Sequence, residues 1–279
     1  MRLNAKTRLC GIIGNPVGHS LSPAMHNAAF EKLELNYAYL AFCVEDVEDV
    51  EGAVRGVRAL GIRGLSVTVP HKVTVMPYLD EIDPVAKSIG AVNTIVNDEG
   101  RLKGYNTDWT GFVRSIEEHV PIKGRRVALL GAGGAARAIA FGLKEKGADL
   151  TILNRTEELE MAQSLAAEIG CPFGDLSKAE IVTGADIVVN ATSVGMAPLQ
   201  DLTVVDTALL RPEQAVVDIV YNPLETKFLK EAEARGCKTI PGYMMLLLQG
   251  VTQFELWTGK TAPVDLMRSI LVERLTASR

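Results

Sequence analysis

A chain of 279 residues, 47% of them apolar, is long enough for one large domain or two modest ones with real cores. Its net charge of −5 excludes the basic footprint of a nucleic-acid binder. The N-terminal Met-Arg-Leu-Asn-Ala-Lys lacks a signal peptide's apolar core, and the apolar stretch from Pro241 to Phe254 is too short to span a membrane, so a cytoplasmic protein without membrane partners is expected. The scattered cysteines (Cys10, Cys43, Cys171, Cys237) form no C-x-x-C pair and read as small core hydrophobes in a reducing compartment. No histidine spacing suggests a zinc site.

In chain order, residues 7–13 read as a first strand, followed by a polar, turn-rich loop from Gly14 to Pro23. Ser22-Pro23 predicts a helix start with serine as N-cap and proline at the first helical position. The loop is either simply a cap or a display of hydroxyls at a strand's carboxyl end. A strand at 36–43, a helix at 46–60 and a strand at 64–69 follow, the last running into Pro70-His71-Lys72. This alternation indicates an α/β unit with mostly parallel strands. Lys72, just past a strand's end, is either solvated or placed where such sheets bind ligands. A helical region at 84–89 precedes a hairpin of 91–96 and 101–105 around Asn97-Asp98-Glu99-Gly100. Asn93 is an amide inside an apolar strand, so it bonds either structural partners or a ligand. The next helix opens near Asn106-Thr107-Asp108, with Thr107 or Asp108 as N-cap, and runs to about Glu118. The break at 119–124 marks a domain boundary near residue 120.

Beyond it, Arg125 to Leu130 reads as a buried strand that ends in Gly131-Ala132-Gly133-Gly134-Ala135-Ala136 and enters a helix. This matches the dinucleotide fingerprint in its required strand-turn-helix context. Gly131 permits the tight turn, Gly133 lets backbone approach a pyrophosphate, and Ala136 lets the helix pack closely. The helix start offers free N–H groups and a positive dipole end. The next strand, 149–153, ends in Asn154-Arg155-Thr156, where an NAD enzyme usually places an acid for the ribose hydroxyls. A guanidinium there suits a 2′-phosphate and predicts NADP. A helix at 156–169 follows, then strands at 186–190, 215–220 and 237–240 separated by a helix at 226–235. A long apolar helix opens near Pro241-Gly242, interrupted by Gln249, and a last helix spans about 263–276. The expected architecture is therefore α/β in two domains. Residues 1–120 form one domain and 121–244 a Rossmann-type domain, with the helices at about 245–279 expected to pack back on the first.

The motifs occur together and in order: Gly14-Asn15-Pro16, His19-Ser20, Ser22-Pro23, His26-Asn27, Val67 to Lys72, Gly90 to Thr94 and Gly104 to Asp108. After them come Gly131 to Ala135, Asn154-Arg155-Thr156, Asp218 to Pro223 and Gly242 with Gln249-Gly250. This set resembles the shikimate dehydrogenase family over nearly the whole chain. The resemblance implies reversible reduction of 3-dehydroshikimate by NADPH, in an interdomain cleft whose closure gates turnover. It implies that Ser20 and Ser22 bind the substrate carboxylate, with Tyr221 at the same end. Thr68, Lys72, Asn93, Asp108 and Gln249 would surround the ring hydroxyls, and Lys72 with Asp108 would be the catalytic pair. Gly131, Ala132, Gly133, Gly134, Ala135, Asn154, Arg155 and Thr156 would hold the cofactor, with Ile219 and Gly242 lining the nicotinamide.

One departure bears on the cofactor. Where family members often carry a second basic residue, this chain has Glu157-Glu158-Leu159-Glu160. Acids at a helix start also suit its dipole. NADP stays the expected cofactor, with partial NAD use open. Two rivals stand beside the main reading: a quinate/shikimate dehydrogenase using NAD, and a catalytically silent NADP-sensing protein, against which the presence of both Lys72 and Asp108 argues. A monomer or a homodimer is expected.

Overall fold

The structure, a computed structural model, describes residues 3–277. It divides into two compact units, one holding the described residues up to Thr107 together with Gln249–Arg274, the other holding Asp108–Leu248 and the described residues from Leu275. The division thus falls at Thr107/Asp108 rather than near 120, because the helix that opens at Asp108 buries Phe112, Val113 and Ile116 in the second unit's core.

The first unit contains β1 (Arg8–Gly14), α1 (Ser22–Lys32), β2 (Tyr37–Cys43), α2 (Asp49–Ala59), β3 (Gly64–Val67), β4 (Glu81–Ile82), α3 (Pro84–Ile89), β5 (Thr94–Asp98) and β6 (Arg101–Tyr105). Its sheet has the order β2-β1-β3-β5-β6-β4. β1 runs parallel to β2 and β3, and β4 parallel to β6, whereas β5 is antiparallel to both β3 and β6. Local chemistry sets the ends. α3 starts where the Asp83 carboxylate accepts from the Val85 N–H at 3.0 Å and Pro84 takes the first turn, and stops at Gly90 with φ +73°. α2 begins at Asp49, later than the sequence pattern suggests, because residues 46–49 close a turn through Asp49 N–H to the Asp46 carbonyl at 3.2 Å. β3 ends at Val67, where the His71 N–H bonds back to the Thr68 carbonyl at 2.9 Å and turns the chain.

The second unit contains α4 (Asp108–Glu117), β7 (Arg126–Leu130), α5 (Gly134–Glu145), β8 (Asp149–Asn154), α6 (Leu159–Ile169), β9 (Phe173–Asp175), α7 (Ala179–Gly184), β10 (Ile187–Asn190), β11 (Ala215–Asp218), α8 (Lys227–Ala234) and β12 (Lys238–Ile240). Its sheet is parallel throughout, in the order β12-β11-β10-β7-β8-β9. This is the doubly wound dinucleotide-binding topology. Side-chain alternation explains the continuous apolar runs. Val127, Leu129, Ile187, Val189 and Val217 face one core with α4, α5 and α6, while Ala128, Leu130, Val188 and Val216 face a second core with α7 and α8. The expected helix at 156–169 starts with a separate short 3-10 turn at Thr156–Glu158, held where the Asn154 side-chain amide donates to the Glu158 carbonyl at 2.9 Å.

α9 (Tyr243–Thr258) opens in the second unit, and from Gln249 onward it belongs to the first, as does α10 (Val264–Ala277) up to Arg274. In the first unit α9 lays Phe254 and Trp257 against Phe30, Tyr39 and the buried His26, whose ring stacks on Tyr39 at 4.6 Å. Trp257 also donates its indole N–H to the Ile95 carbonyl at 3.0 Å. On the opposite face of that sheet, Leu65, Val67 and Ile95 pack with Val50, Val54 and Val57, the helical-spaced stripe of α2. Among the described residues no helix is long and apolar enough to cross a membrane.

Candidate active site

The antiparallel placement of β5 decides which residues share an edge of the first sheet. Thr94 pairs with Ser66 on β3 and with Tyr105 on β6, so Asn93 and Thr107 lie at the edge where β1 and β3 have their carboxyl ends. The loop after β1 and the loop after β3 are stitched together there. The Thr68 N–H donates to the Ile13 carbonyl at 2.9 Å, and the Asn15 N–H donates to the Val69 carbonyl at 3.0 Å. Ser20, Ser22, Thr68 and Asn93 are thus brought to one sheet edge, with Lys72 in the turn beyond β3. Lys72 is half-buried, and its carbonyl accepts from the Val92 N–H at 2.8 Å, which ties that turn to the segment that carries Asn93 into β5. The turn is anchored from below by His71, fully buried and bonded through Nε2 to the Val44 carbonyl at 2.7 Å.

Ser22 does not act as the N-cap of α1. It is the first helical residue, and the cap position is Leu21, with no side-chain cap bond. Ser20 takes over part of that work, its hydroxyl accepting from the Ser22 N–H at 3.3 Å. Asn93 precedes β5 rather than lying inside a strand, and its amide is buried and bonded to Thr107 and Thr94. Gln249 is buried within the first unit, while Asp108, also buried, opens α4 in the second. Of the cysteines, Cys10 and Cys237 are buried, Cys171 is half-buried, and Cys43 is exposed rather than in the core because it ends the edge strand β2.

The second unit presents a different construction. Gly131 ends β7 with φ +106°, and a Cβ there would stand 2.8 Å from Thr192 Cγ2, so the turn requires glycine. Gly133 takes the extended N-cap position of α5, whereas the space a Cβ would fill at Gly133 or Gly134 is open: among the described residues, no atom apart from chain neighbours and the helix's own backbone lies within 4 Å. Ala132 and Ala135 pack at the rim of the core and Ala136 is buried. An open, side-chain-free cradle at the start of a twelve-residue helix fits a pyrophosphate. At the end of β8, Asn154 is buried, and the exposed Arg155 pairs with the Glu158 carboxylate, which holds the Glu158 carboxyl below its ordinary range. Thr156 donates its hydroxyl to Asp175, whose carboxyl is lowered to about 2 chiefly by that bond. Residues 131–136 and 154–156 thus fit a dinucleotide phosphate.

Ile219 and Gly242 are brought together: a Cβ on Gly242 would lie 2.5 Å from the Ile219 carbonyl, so only glycine allows this approach. Tyr221 stands beyond β11, 36% exposed. The segment from Ile219 to Tyr221 is held by a residue that sequence reasoning placed in a motif without giving it a role. Asp218 is fully buried and accepts from Thr226 Oγ1 at 2.7 Å, the Val220 N–H at 3.0 Å and Asn190 Nδ2 at 2.9 Å. Burial pushes its carboxyl up to about 6 against the pull of these donors. Gln253, Ser66, Tyr39 and Thr94 were also passed over. The readable signal was Gln253, a second glutamine four residues after Gln249 on an apolar helix.

A parallel dinucleotide-binding unit with a basic residue at the end of its second strand, joined to an α/β unit with hydroxyls, an amide and a lysine on one sheet edge, defines the class of dinucleotide-dependent oxidoreductases. Comparison narrows the class. Residues 12–95 match the shikimate dehydrogenase substrate binding domain, 114–225 the shikimate/quinate 5-dehydrogenase family and 242–271 the shikimate 5′-dehydrogenase C-terminal domain. The chain is 50% identical to the shikimate dehydrogenase (NADP(+)) of Moorella thermoacetica, covering 100% of this chain and 97% of that one. It is similar to a solved shikimate dehydrogenase in complex with NADP+, at 43% identity and TM-score 0.93, covering 98% of each chain. It is also similar to the Listeria monocytogenes shikimate 5-dehydrogenase solved with shikimate and NAD, at 41% identity and TM-score 0.92, covering 97% and 98%. The chain belongs to the shikimate dehydrogenase family.

Proposed function

We infer that the chain catalyses the reversible NADPH-dependent reduction of 3-dehydroshikimate to shikimate, a step in aromatic biosynthesis. The observation that carries this reading is the full-length kinship with NADP-dependent relatives in a chain that has Arg155, not an acid, at the end of β8. The unit that carries β1–β6 acts as the substrate domain and the unit that carries β7–β12 as the nucleotide domain. The cofactor supplies the hydride. The chain's own residues position the ketone and manage the proton. Reduction leaves negative charge on the carbonyl oxygen, and Lys72 Nζ donates the proton that neutralises it. Asp108 orients the lysine and accepts from a neighbouring ring hydroxyl. Ser20, Ser22 and Tyr221 hold the carboxylate, and Thr68, Asn93 and Gln249 bond the ring hydroxyls. Gly131, Ala132, Gly133, Gly134 and Ala135 take the pyrophosphate on backbone N–H groups, Asn154, Arg155 and Thr156 take the adenosine 2′-phosphate, and Ile219 and Gly242 line the nicotinamide. No step needs a membrane, a nucleic acid or a second protein, and the enzyme works in the cytoplasm.

The reading is tested on Lys72. In Lys72→Ala, single-turnover reduction at saturating NADPH falls by roughly 10²–10⁴-fold, the range for a lost general acid, while NADPH binding followed by its fluorescence keeps its dissociation constant. An unchanged turnover rate removes Lys72 from the mechanism. A second reading, relaxed cofactor choice, is favoured by one observation: Arg155 is already paired with Glu158, so a 2′-phosphate must compete with a resident carboxylate.

A further inference from the structure

A chain of buried hydrogen bonds runs through the first unit, and each bond in it has only one allowed direction. Its fixed point is the Thr107 backbone N–H, which can only donate, and it donates to Asn93 Oδ1 at 2.7 Å. The Asn93 amide therefore cannot be flipped: its oxygen faces Thr107 N–H and its nitrogen donates to Thr107 Oγ1 at 3.0 Å. Because Asn93 Oδ1 can only accept, the Thr94 hydroxyl 2.7 Å away donates to it. The Thr94 oxygen then accepts from Gln253 Nε2 at 2.9 Å, and the same nitrogen reaches the Asn93 carbonyl at 3.3 Å. With its nitrogen so committed, Gln253 turns Oε1 toward Ser66, whose hydroxyl donates at 2.8 Å. Ser66 in turn accepts from the Tyr39 hydroxyl at 2.6 Å. All these residues are buried, where a wrongly directed bond leaves a polar atom unsatisfied at a cost comparable to a lost hydrogen bond.

The consequence is at Asn93. One Nδ2 hydrogen is used on Thr107, and the second has no partner among the described residues. We propose that Gln253 is a positioning residue of the dehydrogenase. The Thr107 N–H sets which way the Asn93 amide faces; by donating to Thr94, Gln253 commits the Thr94 hydroxyl to Asn93 Oδ1 and so holds the amide in place, and Asn93 presents a donor, never an acceptor, to the substrate. The substrate group facing Asn93 is accordingly read as a hydrogen-bond acceptor, and a substituent that can only donate is rejected there. This rests on the reading of Asn93 as a substrate contact.

Gln253→Glu tests it without changing side-chain shape. A carboxylate cannot donate to Thr94, so the Thr94 hydroxyl turns to the new oxygen and Asn93 Oδ1 keeps the Thr107 N–H but loses the Thr94 donor that braces it. The expected result is a fall of about tenfold in kcat/KM for shikimate, carried mostly by KM, the size of one lost buried hydrogen bond. The KM for NADP stays unchanged, since no residue of the chain belongs to the nucleotide sheet. The double mutant with Asn93→Ala separates positioning from mere stabilisation: Gln253→Glu adds no further kinetic loss when Asn93 is already gone. Thr94→Val reproduces the defect and Thr94→Ser restores most of the rate, which keeps the test decisive if Gln253→Glu does not fold. Equal fold-losses for Gln253→Glu with and without Asn93 overturn the positioning role alone. A normal kcat/KM for Asn93→Ala overturns the substrate reading of Asn93 itself.

Discussion

The two sheets present their polar groups in opposite ways. At the edge of the first, the polar groups are buried side chains bonded to one another, from Tyr39 through Ser66, Gln253 and Thr94 to Asn93. At the edge of the second, the turn after β7 offers backbone and open space at Gly133 and Gly134, and its basic side chain, Arg155, lies exposed at the surface. Under the proposed function, the difference teaches how one chain would recognise two kinds of molecule. A pattern of ring hydroxyls is told apart by buried donors and acceptors that reject a mismatch. A phosphate carries charge and needs only converging N–H groups and a cation. The first construction fails when one atom changes its hydrogen-bonding sense, and the second fails when the backbone is denied its conformation.

The contrast can be broken most forcefully with acid. In the first unit, His26 is buried with neither ring nitrogen bonded among the described residues, and burial lowers its pKa from 6.5 to about 3. The unfolded chain therefore takes up the proton first as the pH falls. This contribution to stability is complete above pH 6.5 and is lost on the way down to about 3, with a slope of up to ~1.4 kcal/mol per pH unit. Asp218 in the second unit acts with the opposite sign. Its folded value of about 6 lies above the ordinary 3.8, so its contribution is complete below 3.8 and is lost as the pH rises through 6. Melting temperatures measured from pH 7 to pH 4 should flatten in His26→Phe and steepen in Asp218→Asn; unchanged slopes contradict both assignments. A smaller effect is expected for Gly131→Ala, which forces a side chain to φ +106° against Thr192. The strain costs about 1–3 kcal/mol, and NADPH binding weakens with it. A variant with wild-type melting and affinity would show that the turn tolerates a Cβ.

Two further substitutions sharpen the cofactor half. Arg155→Ala should raise the KM for NADP by roughly tenfold, the scale of a lost charge-assisted phosphate contact, and leave the KM for NAD unchanged. An equal rise for both cofactors would mean that Arg155 does not read the 2′-phosphate. The smallest effect belongs to Glu158→Gln. Freed of its resident carboxylate, Arg155 should bind NADP about twofold more tightly at low salt, and the gain should vanish at high salt because exposed pairs are weak and screened. A gain independent of salt would contradict an ionic origin.

Much of this contrast was legible in the chain before any coordinates. The strand-turn-helix context of Gly131 to Ala136 announced the second sheet because it is local: a strand, a glycine turn and a helix follow within sixteen residues. Arg155 was equally readable, since its place is counted from the same motif. The short β9 and α7 escaped, because they carry no usable period and α7 lacks the opening cap and proline that Asp83-Pro84 give the equally short α3. The position of the division at Thr107 also escaped. It depends on α4 packing into the second core, a tertiary choice that the break at 119–124 does not encode. The direction of the Asn93 chain was wholly illegible. It joins residues as far apart as Tyr39 and Gln253, and only the register of β5 between β3 and β6 brings them together.

The measurement that tests the central claim most directly is a set of initial rates of reduced-cofactor formation by the purified enzyme, crossing shikimate and quinate against NADP and NAD. The account predicts efficient turnover with shikimate and NADP, and poor turnover when either is replaced. Comparable rates with quinate would contradict a substrate sheet built to read one pattern of hydroxyls, and comparable rates with NAD would contradict Arg155 as the reader of the 2′-phosphate.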